Sequence, residues 1–371
     1  MSNQHIPDIA DGLGESVGQA LVNRTVNNPP AKFALEIRKN QNSATVADDS
    51  YRLLPHLNFT ITPLSSLEPD VLVLELPRHG LRTEDSTPVL AASYALADAL
   101  NVAAAEPDLP TDVFPERLSS PSGAVSTMEG LESELGKFWS PREPHLDDRP
   151  DWALENIRVV RAWQVSEKQG RSSKGQGTII AQPDTGVTAH SELRGTNFVS
   201  SSDFLGNDHD PTDPLTGTNP GHGTATASVT VSPPTLRITG AAPDAMHMPL
   251  RAIESVALVT QVTVARSIDW AVAHGAAVIT MSLGGIPSFS LHRAVRRAVE
   301  ANVIVLAAAG NCVQAVVWPA RYDECLAVAG INAADGLWRG AVRALPWTSR
   351  RRPKTSSTQT SLKTPEGGKI T

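Results

Sequence analysis

Three short stretches of this chain hold residue types that could do proton-transfer chemistry. An apolar run over 178–183 ends at Asp184, in Pro183-Asp184-Thr185-Gly186. His222 follows 38 residues later, framed as Gly221-His222-Gly223-Thr224, and Asn311 comes 89 residues after that, in Ala309-Gly310-Asn311. A carboxylate just past a strand can orient an imidazole, because sites in parallel sheets collect beyond the carboxyl ends of the strands. A histidine between glycines at a helix start is open enough to exchange protons near neutral pH. An asparagine amide closing a buried strand can donate to a developing oxyanion, a contact worth about 3 kcal/mol. A fourth stretch, Ser282-Leu283-Gly284-Gly285, closes another apolar run and can take an extended peptide as an added strand.

Each signal has a plainer reading. Asp-Thr-Gly suits an ordinary turn, and an asparagine can simply close a strand. Asp-Thr-Gly is also the signature of aspartic proteases, but these share a proton between two such carboxylates, and no second Asp-Thr-Gly or Asp-Ser-Gly occurs here. His190, His209 and His247 lack the glycine frame and read as structural or surface histidines.

The elements that must position these residues alternate. Runs at 178–183, 276–281 and 303–308 are continuously apolar, as in strands buried on both faces. Between them, 262–274 and 291–300 repeat apolar residues at helical spacing, the second through Leu291, Ala294, Val295, Ala298 and Val299. This alternation predicts an α/β parallel sheet with helices on both faces. Upstream, 33–38, 59–62, 70–76 and 102–106 read as strands and 87–100 as a helix capped by Thr87, a small α+β module over 32–115. Residues 1–31 form a polar segment, 116–150 a linker rich in Ser, Pro and charge, and 151–338 the larger domain.

Composition bounds the class. A chain of 371 residues holds two to three domains at about 150 residues each. Its 40% hydrophobic and 19% charged content excludes a mostly disordered or collagen-like chain. No stretch reaches the roughly 18 apolar residues of a membrane-spanning helix, and the N-terminus lacks a basic segment followed by an apolar one. No membrane partner is therefore expected, and localisation is left open. Cys312 and Cys325 are too few for a disulfide framework and have no zinc spacing; they are one disulfide or two buried thiols. The net charge of −7 sums unlike parts: residues 339–371 carry eight Lys/Arg and one Glu, and the other 338 carry 24 Lys/Arg against 38 Asp/Glu.

From about Trp152 to Asn332 the chain resembles the subtilisin-like serine peptidases, the subtilases. The resemblance runs through Trp152, Leu154, Ile157, Ala162 and Trp163, then Asp184-Thr-Gly, His222-Gly-Thr, Gly240-Ala-Ala-Pro243, Met281-Ser-Leu-Gly-Gly285, Ala309-Gly-Asn311, Trp318-Pro-Ala and the stretch from Leu326, in that order. It implies a serine endopeptidase acting on polypeptides, with Asp184 orienting the imidazole, His222 as general base, Asn311 in the oxyanion hole and Ser282 to Gly285 lining the substrate cleft. The order Asp, His, Ser is that of subtilisin. The 32–115 module is similar to the propeptide domain of such enzymes, an intramolecular chaperone and inhibitor, and its Ala105-Glu-Pro-Asp108 end is similar to the segment leading to the processing site. No cofactor is required. Family members often bind calcium, and the acidic stretch from Asp203 to Asp213 is the candidate, against its plainer reading as a solvated turn that fits no EF-hand. Family members are often secreted.

The family's nucleophile sits in Gly-Thr-Ser-x-Ala-x-Pro at the head of a buried helix beside the histidine. Counted from Asn311 it falls near or beyond Thr371, and no Gly-Thr-Ser occurs in these residues. Ser349 lies 38 residues past Asn311 and is followed by three arginines, which cannot supply the helix's apolar face. In place of the next expected strand stands the basic stretch 339–371. Read in a shifted frame, Trp347-Thr348 yields an obligatory Asp, and the neighbouring codons permit Val before it and Ile-Ser-Ala-Pro after it, close to the family's segment. A frame change near Arg339 is thus the expectation, with a natural tail binding nucleic acid or an acidic surface as its alternative. The chain is then inactive as translated, or is a non-catalytic pseudo-peptidase that still binds extended peptides.

Overall fold

The computed structural model describes residues 31–55, 58–76, 87–109, 152–216, 219–234, 238–256, 259–311, 313, 315–332, 336–338 and 341–342. The segment 1–30, the linker 116–150, Cys312 and most of the basic stretch lie outside them. Ala341 and Val342, which the sequence reading assigns to that stretch, are buried, and Ala341 bridges to Asn311 while Val342 N–H donates to the Gly310 carbonyl at 3.1 Å. The fold therefore reaches past residue 338.

The larger unit is built on a parallel sheet. Its strands are β5 (Ile179–Asp184), β6 (Asn197–Phe198), β7 (Ser202–Asp203), β8 (Met246–Arg251), β9 (Val278–Met281), β10 (Ile304–Ala308) and β11 (Leu326–Val328), in spatial order β11-β10-β9-β5-β8-β6 with β7 also on β8. The chain starts in the middle at β5, fills one side through β8 and then crosses to β9, so a topological switch point lies at the carboxyl end of β5, where ligands bind in such sheets. Sequence pattern hides β8 because Pro249 and His247 interrupt its apolar run, and Pro inside a central strand normally argues against one. The unit's helices are α3 (Trp152–Asn156), α4 (Val159–Lys168), α5 (His222–Val231), α6 (Gln261–Ala273) and α7 (Phe289–Glu300), numbered after two in the N-terminal module. Ser288 Oγ caps α7 by accepting from Leu291 N–H, and Leu291, Ala294, Val295 and Ala298 bury its apolar stripe.

The module consists of β1 (Ala31–Glu36), α1 (Ser43–Leu53), β2 (Thr60–Ser65), β3 (Glu68–Leu76), α2 (Thr87–Ala99) and β4 (Ala104–Pro107), an antiparallel sheet of order β2-β3-β1-β4 in the split βαβ pattern. Helix α1 is absent from the sequence reading. It buries only Val46 and Ser50 and so shows almost no apolar period, although Asn42 Oδ1 caps it by accepting from Ala44 N–H at 2.8 Å.

Both faces of the module's sheet are covered. Phe33, Leu35, Leu72 and Leu74 pack in the module's own core, whereas Ala34, Leu64, Val71 and Val73 join the core of the larger unit. Arg266 of α6 donates to the Leu64 carbonyl at 3.0 Å. Glu36 and Glu68 of the module pair with Arg293 of α7, and Glu68 also pairs with Arg297, which grips Asp269 of α6 at 2.8 Å.

The larger sheet is covered unevenly. Ile279, Met281, Val305 and Ala307 are sealed under α6 and α7. On the opposite face, the row Ile180–Val278–Ile304 runs from 7% exposed beside α5 to 52% at β10, and Leu326 and Val328 on β11 are 55% and 53% exposed. Parallel strands are normally buried on both faces. Among the described residues, nothing seals this one beyond α5.

Glu68→Ala should destabilise cooperative urea unfolding by about 2 kcal/mol, because it removes charge-assisted bonds to two partly buried arginines. Glu75→Ala, which breaks only the solvent-facing pair with Lys32, should cost less than about 1 kcal/mol. Equal losses would show that the module does not dock through Glu68.

Candidate active site

Asp184 is the last residue of β5 and only 1% exposed. His222 is the first residue of α5, and its Nδ1 lies 2.8 Å from Asp184 Oδ1. The glycine frame explains the approach. Gly221 precedes the helix at φ +76°, a left-handed conformation that L side chains avoid. A Cβ on Gly223 would sit 2.0 Å from the Gly186 carbonyl oxygen, so only glycine lets the head of α5 close on the turn after β5.

The rest of the carboxylate is engaged too. Asp184 Oδ1 also accepts from Thr185 N–H at 2.7 Å, and Thr226 Oγ1, one turn into α5, donates to Oδ2 at 3.1 Å. Buried Gln182, two residues before Asp184 and on the same sheet face, donates to the Gly223 carbonyl at 2.9 Å and to Thr226 Oγ1 at 2.6 Å. Such a fixed carboxylate holds one imidazole orientation, with Nδ1 engaged and Nε2 left for proton transfer. Burial alone would push the His222 pKa down. The Asp184 charge and hydrogen bond, with the Asp213 charge behind them, outweigh burial and hold it above the usual histidine value.

His222, Ser282, Leu283, Gly284, Gly310 and Asn311 line one small cleft of about 60 Å³, closed off by Val256 and Val317. The structure thus gathers Asp184's partner, the Asn and the Ser-Leu-Gly stretch, which are distant in sequence, at the carboxyl ends of β9 and β10. Gly285 N–H donates to the Trp318 carbonyl at 2.8 Å, which ties the end of this stretch to the loop that follows Val317. A larger cavity of about 560 Å³ beneath Val187, His190, Leu193 and Phe198 contains none of the candidate residues, so volume does not mark the site.

Thr226 and Gln182 are not singled out by sequence; Asp213 stands out only as the end of the acidic stretch, and Glu106 and Asp108 only within the segment similar to the one leading to the processing site. Glu106 lies on the module's last strand, β4, and Asp108 just past its end. Glu106 accepts from Phe289 N–H and Ser288 Oγ at the start of α7, and Asp108 accepts from Gln261 and Val262 N–H at the start of α6. Both sit where a helix dipole favours negative charge. Gln261 in turn packs on Gly285, which brings the end of β4 beside the cleft.

The acidic loop is only partly a solvated turn. Asp208 and Asp210 are exposed, but Asp203 and Asp213 are buried. Asp203 pairs with Arg251 at 2.6 Å, and the other loop carboxylates accept neighbouring backbone N–H groups. Among the described residues no group of three or more His, Cys, Asp or Glu is arranged to hold a metal ion. His247 is fully buried on β8 with neither ring nitrogen bonded, and burial pushes its pKa down to about 4, so it is a neutral core residue. Cys325 carries a free thiol, pushed up to about 12 by burial.

This site lies within a recognisable family. The Subtilase family model matches residues 175–366, just over half of the chain, and the protein belongs to that family of serine proteases. The matched range runs into the basic stretch. Thermitase of Thermoactinomyces vulgaris is 33% identical over 202 residues, covering 53% of this chain and 67% of thermitase. A thermostable alkaline protease of Halalkalibacterium halodurans is 32% identical over 215 residues, 55% of this chain and 56% of its own. Subtilisin DY of Bacillus licheniformis is 32% identical over 189 residues, 48% and 64%. The chain thus spans about half to two thirds of the length of the curated relatives it matches. A solved mutant of the protease domain of PatA aligns with a TM-score of 0.41 at 26% identity, covering 45% of this chain and 62% of that one.

Asp184→Asn keeps the shape of the pair and removes its charge, leaving burial to dominate. The His222 pKa, followed by imidazole NMR, should then fall below the ordinary histidine value. An unchanged pKa would mean that Asp184 does not set the protonation of His222.

Proposed function

We propose that this chain carries the scaffold of a subtilisin-type serine endopeptidase whose Asp184 orients His222, whose His222 is the general base, and whose Asn311 would donate to the oxyanion of a polypeptide substrate lying along Ser282 to Gly284. The 2.8 Å bond from Asp184 to His222 at the head of a cleft shared with Asn311 carries this reading. In such a site a serine hydroxyl attacks the peptide carbonyl, the imidazole Nε2 takes its proton and returns it to the leaving amine, and the carboxylate holds the ring in the required tautomer.

We further propose that these 371 residues, which hold no Gly-Thr-Ser, do not by themselves turn over substrate. The face of β10 and β11 that no described residue seals supports this, because it lies on the side of the sheet that α5 covers, where the family's serine-bearing helix is expected. It also favours a broken enzyme over a stable pseudo-peptidase, since exposed Ile304, Leu326 and Val328 invite association. A frame change beyond Val342 accounts for the basic stretch. Loss of a triad serine costs about 10⁶-fold in turnover. The purified chain should therefore show no peptide hydrolysis above background. Steady hydrolysis abolished by His222→Ala would overturn the proposal, and tight peptide binding by a stably folded, non-hydrolysing chain would favour the pseudo-peptidase.

The 32–115 module acts, in this reading, as a propeptide-like inhibitor and folding aid, docked through Glu106 and Asp108 on the two helix starts. Burial raises Glu106 to about 7, against hydrogen bonds from Ser288, Ser290 and Phe289 that pull it down, and burial also raises Asp108. A carboxyl raised in the docked state favours docking when protonated. That contribution is complete below its undocked pKa and is lost as pH rises through about 7. Hydrogen exchange at the Phe289 and Gln261 amides, corrected for intrinsic rates, should show weaker protection at pH 8 than at pH 5. Stronger protection at pH 8 would contradict the docking role.

A further inference from the structure

We propose that Asp213 is a second positioning carboxylate of this site, clamping the backbone on both sides of His222 and setting a second negative charge behind the imidazole. Asp213 lies on the loop before α5 and is 3% exposed. Its Oδ2 accepts from Gly221 N–H at 3.0 Å and from Thr185 Oγ1 at 2.6 Å. Thr185 Oγ1 in turn accepts from Gly223 N–H at 3.0 Å. The amides of Gly221 and Gly223, the residues on either side of His222, are therefore tied to one carboxylate, the first directly and the second through a hydroxyl.

The remaining contacts fix the carboxylate itself. Oδ1 accepts from Leu215 N–H at 2.8 Å, and the Asp213 carbonyl accepts from Thr188 Oγ1 at 2.8 Å. The segment 211–213 also presses on the turn after β5, where Val187 N–H donates to the Pro211 carbonyl at 2.8 Å and a Cβ on Gly186 would lie 2.3 Å from that same oxygen. Asp213 thus couples three pieces of chain: the turn carrying Thr185, its own loop and the head of α5. Asp184 fixes the His222 ring, and Asp213 fixes the backbone from which the ring projects.

The charge has a separate effect. Asp184 from β5 and Asp213 from the loop are the two carboxylates whose fields raise His222 against its burial. Asp213 also lies at the start of α5, where the helix dipole favours an anion. A residue that only closed a turn would affect folding. One that positions and charges the base affects the imidazole at constant fold.

The proposal rests on the reading of His222 as general base, but its test reads the ring and the backbone directly and needs no turnover. Failure of the two readings is therefore distinguishable. In the full chain, Asp213→Asn keeps an oxygen for Thr185 and Gly221, gives up the bond from Leu215 and removes the charge. The His222 pKa by imidazole NMR should fall by about half a unit or more, with Gly221 and Gly223 amide exchange near wild type. Asp213→Ala should in addition speed exchange at both amides by about tenfold or more. Thr185→Val should speed it at Gly223 alone and leave the His222 pKa close to wild type, and it carries the test if the Asp213 variants do not fold. An unchanged His222 pKa in Asp213→Asn, protected amides in Asp213→Ala, or unchanged Gly223 exchange in Thr185→Val would each overturn the proposal.

Discussion

The hydrogen bond between Asp184 and His222 is the constraint around which the rest of this molecule is arranged. It can form only if the end of β5 and the start of α5 meet at glycine distance, which Gly186 and Gly223 permit. Once they meet, Gln182 and Thr226 bind the two elements together under the pair, and Asp213 binds them from the other side. A buried carboxylate without such partners would be costly. Here it is surrounded by donors, and the imidazole it holds is kept more basic than burial would allow.

Around this pair the described residues cover the two faces of the sheet unequally. Helices α6 and α7 seal one side of the sheet, and the N-terminal module covers those helices with an apolar surface, two arginine-centred ion-pair sites and two carboxylates on helix starts. Among the described residues, the opposite side is sealed only near α5. The described elements belong to the acidic body, and of the basic stretch that begins at residue 339 the described residues Ala341 and Val342 join them.

Much of this was legible in sequence. Continuous apolar runs gave β5, β9 and β10, and the stripe from Leu291 gave α7, because buried parallel strands and amphipathic helices leave strong local patterns. Asp184, His222 and Asn311 stood out because glycines and strand ends frame them. What escaped notice has weak local pattern and long-range cause. Helix α1 buries two residues, and β8 carries a proline and a histidine in its core. Asp213 looks like any loop aspartate until Thr185 and Gly221 close on it. Glu106 and Asp108 acquire meaning only against helices more than 150 residues away in sequence.

The central proposal is that the frame leading from this subtilase scaffold to its nucleophile changes beyond Val342. Nucleotide sequence through and past codon 342 tests it most directly. The account predicts that another frame continues with the Asp forced by Trp347-Thr348 inside a Val-Asp-Ile-Ser-Ala-Pro-like segment and then encodes Gly-Thr-Ser-x-Ala-x-Pro. A locus in which the basic stretch is in frame, with no such motif downstream in any frame, would contradict it.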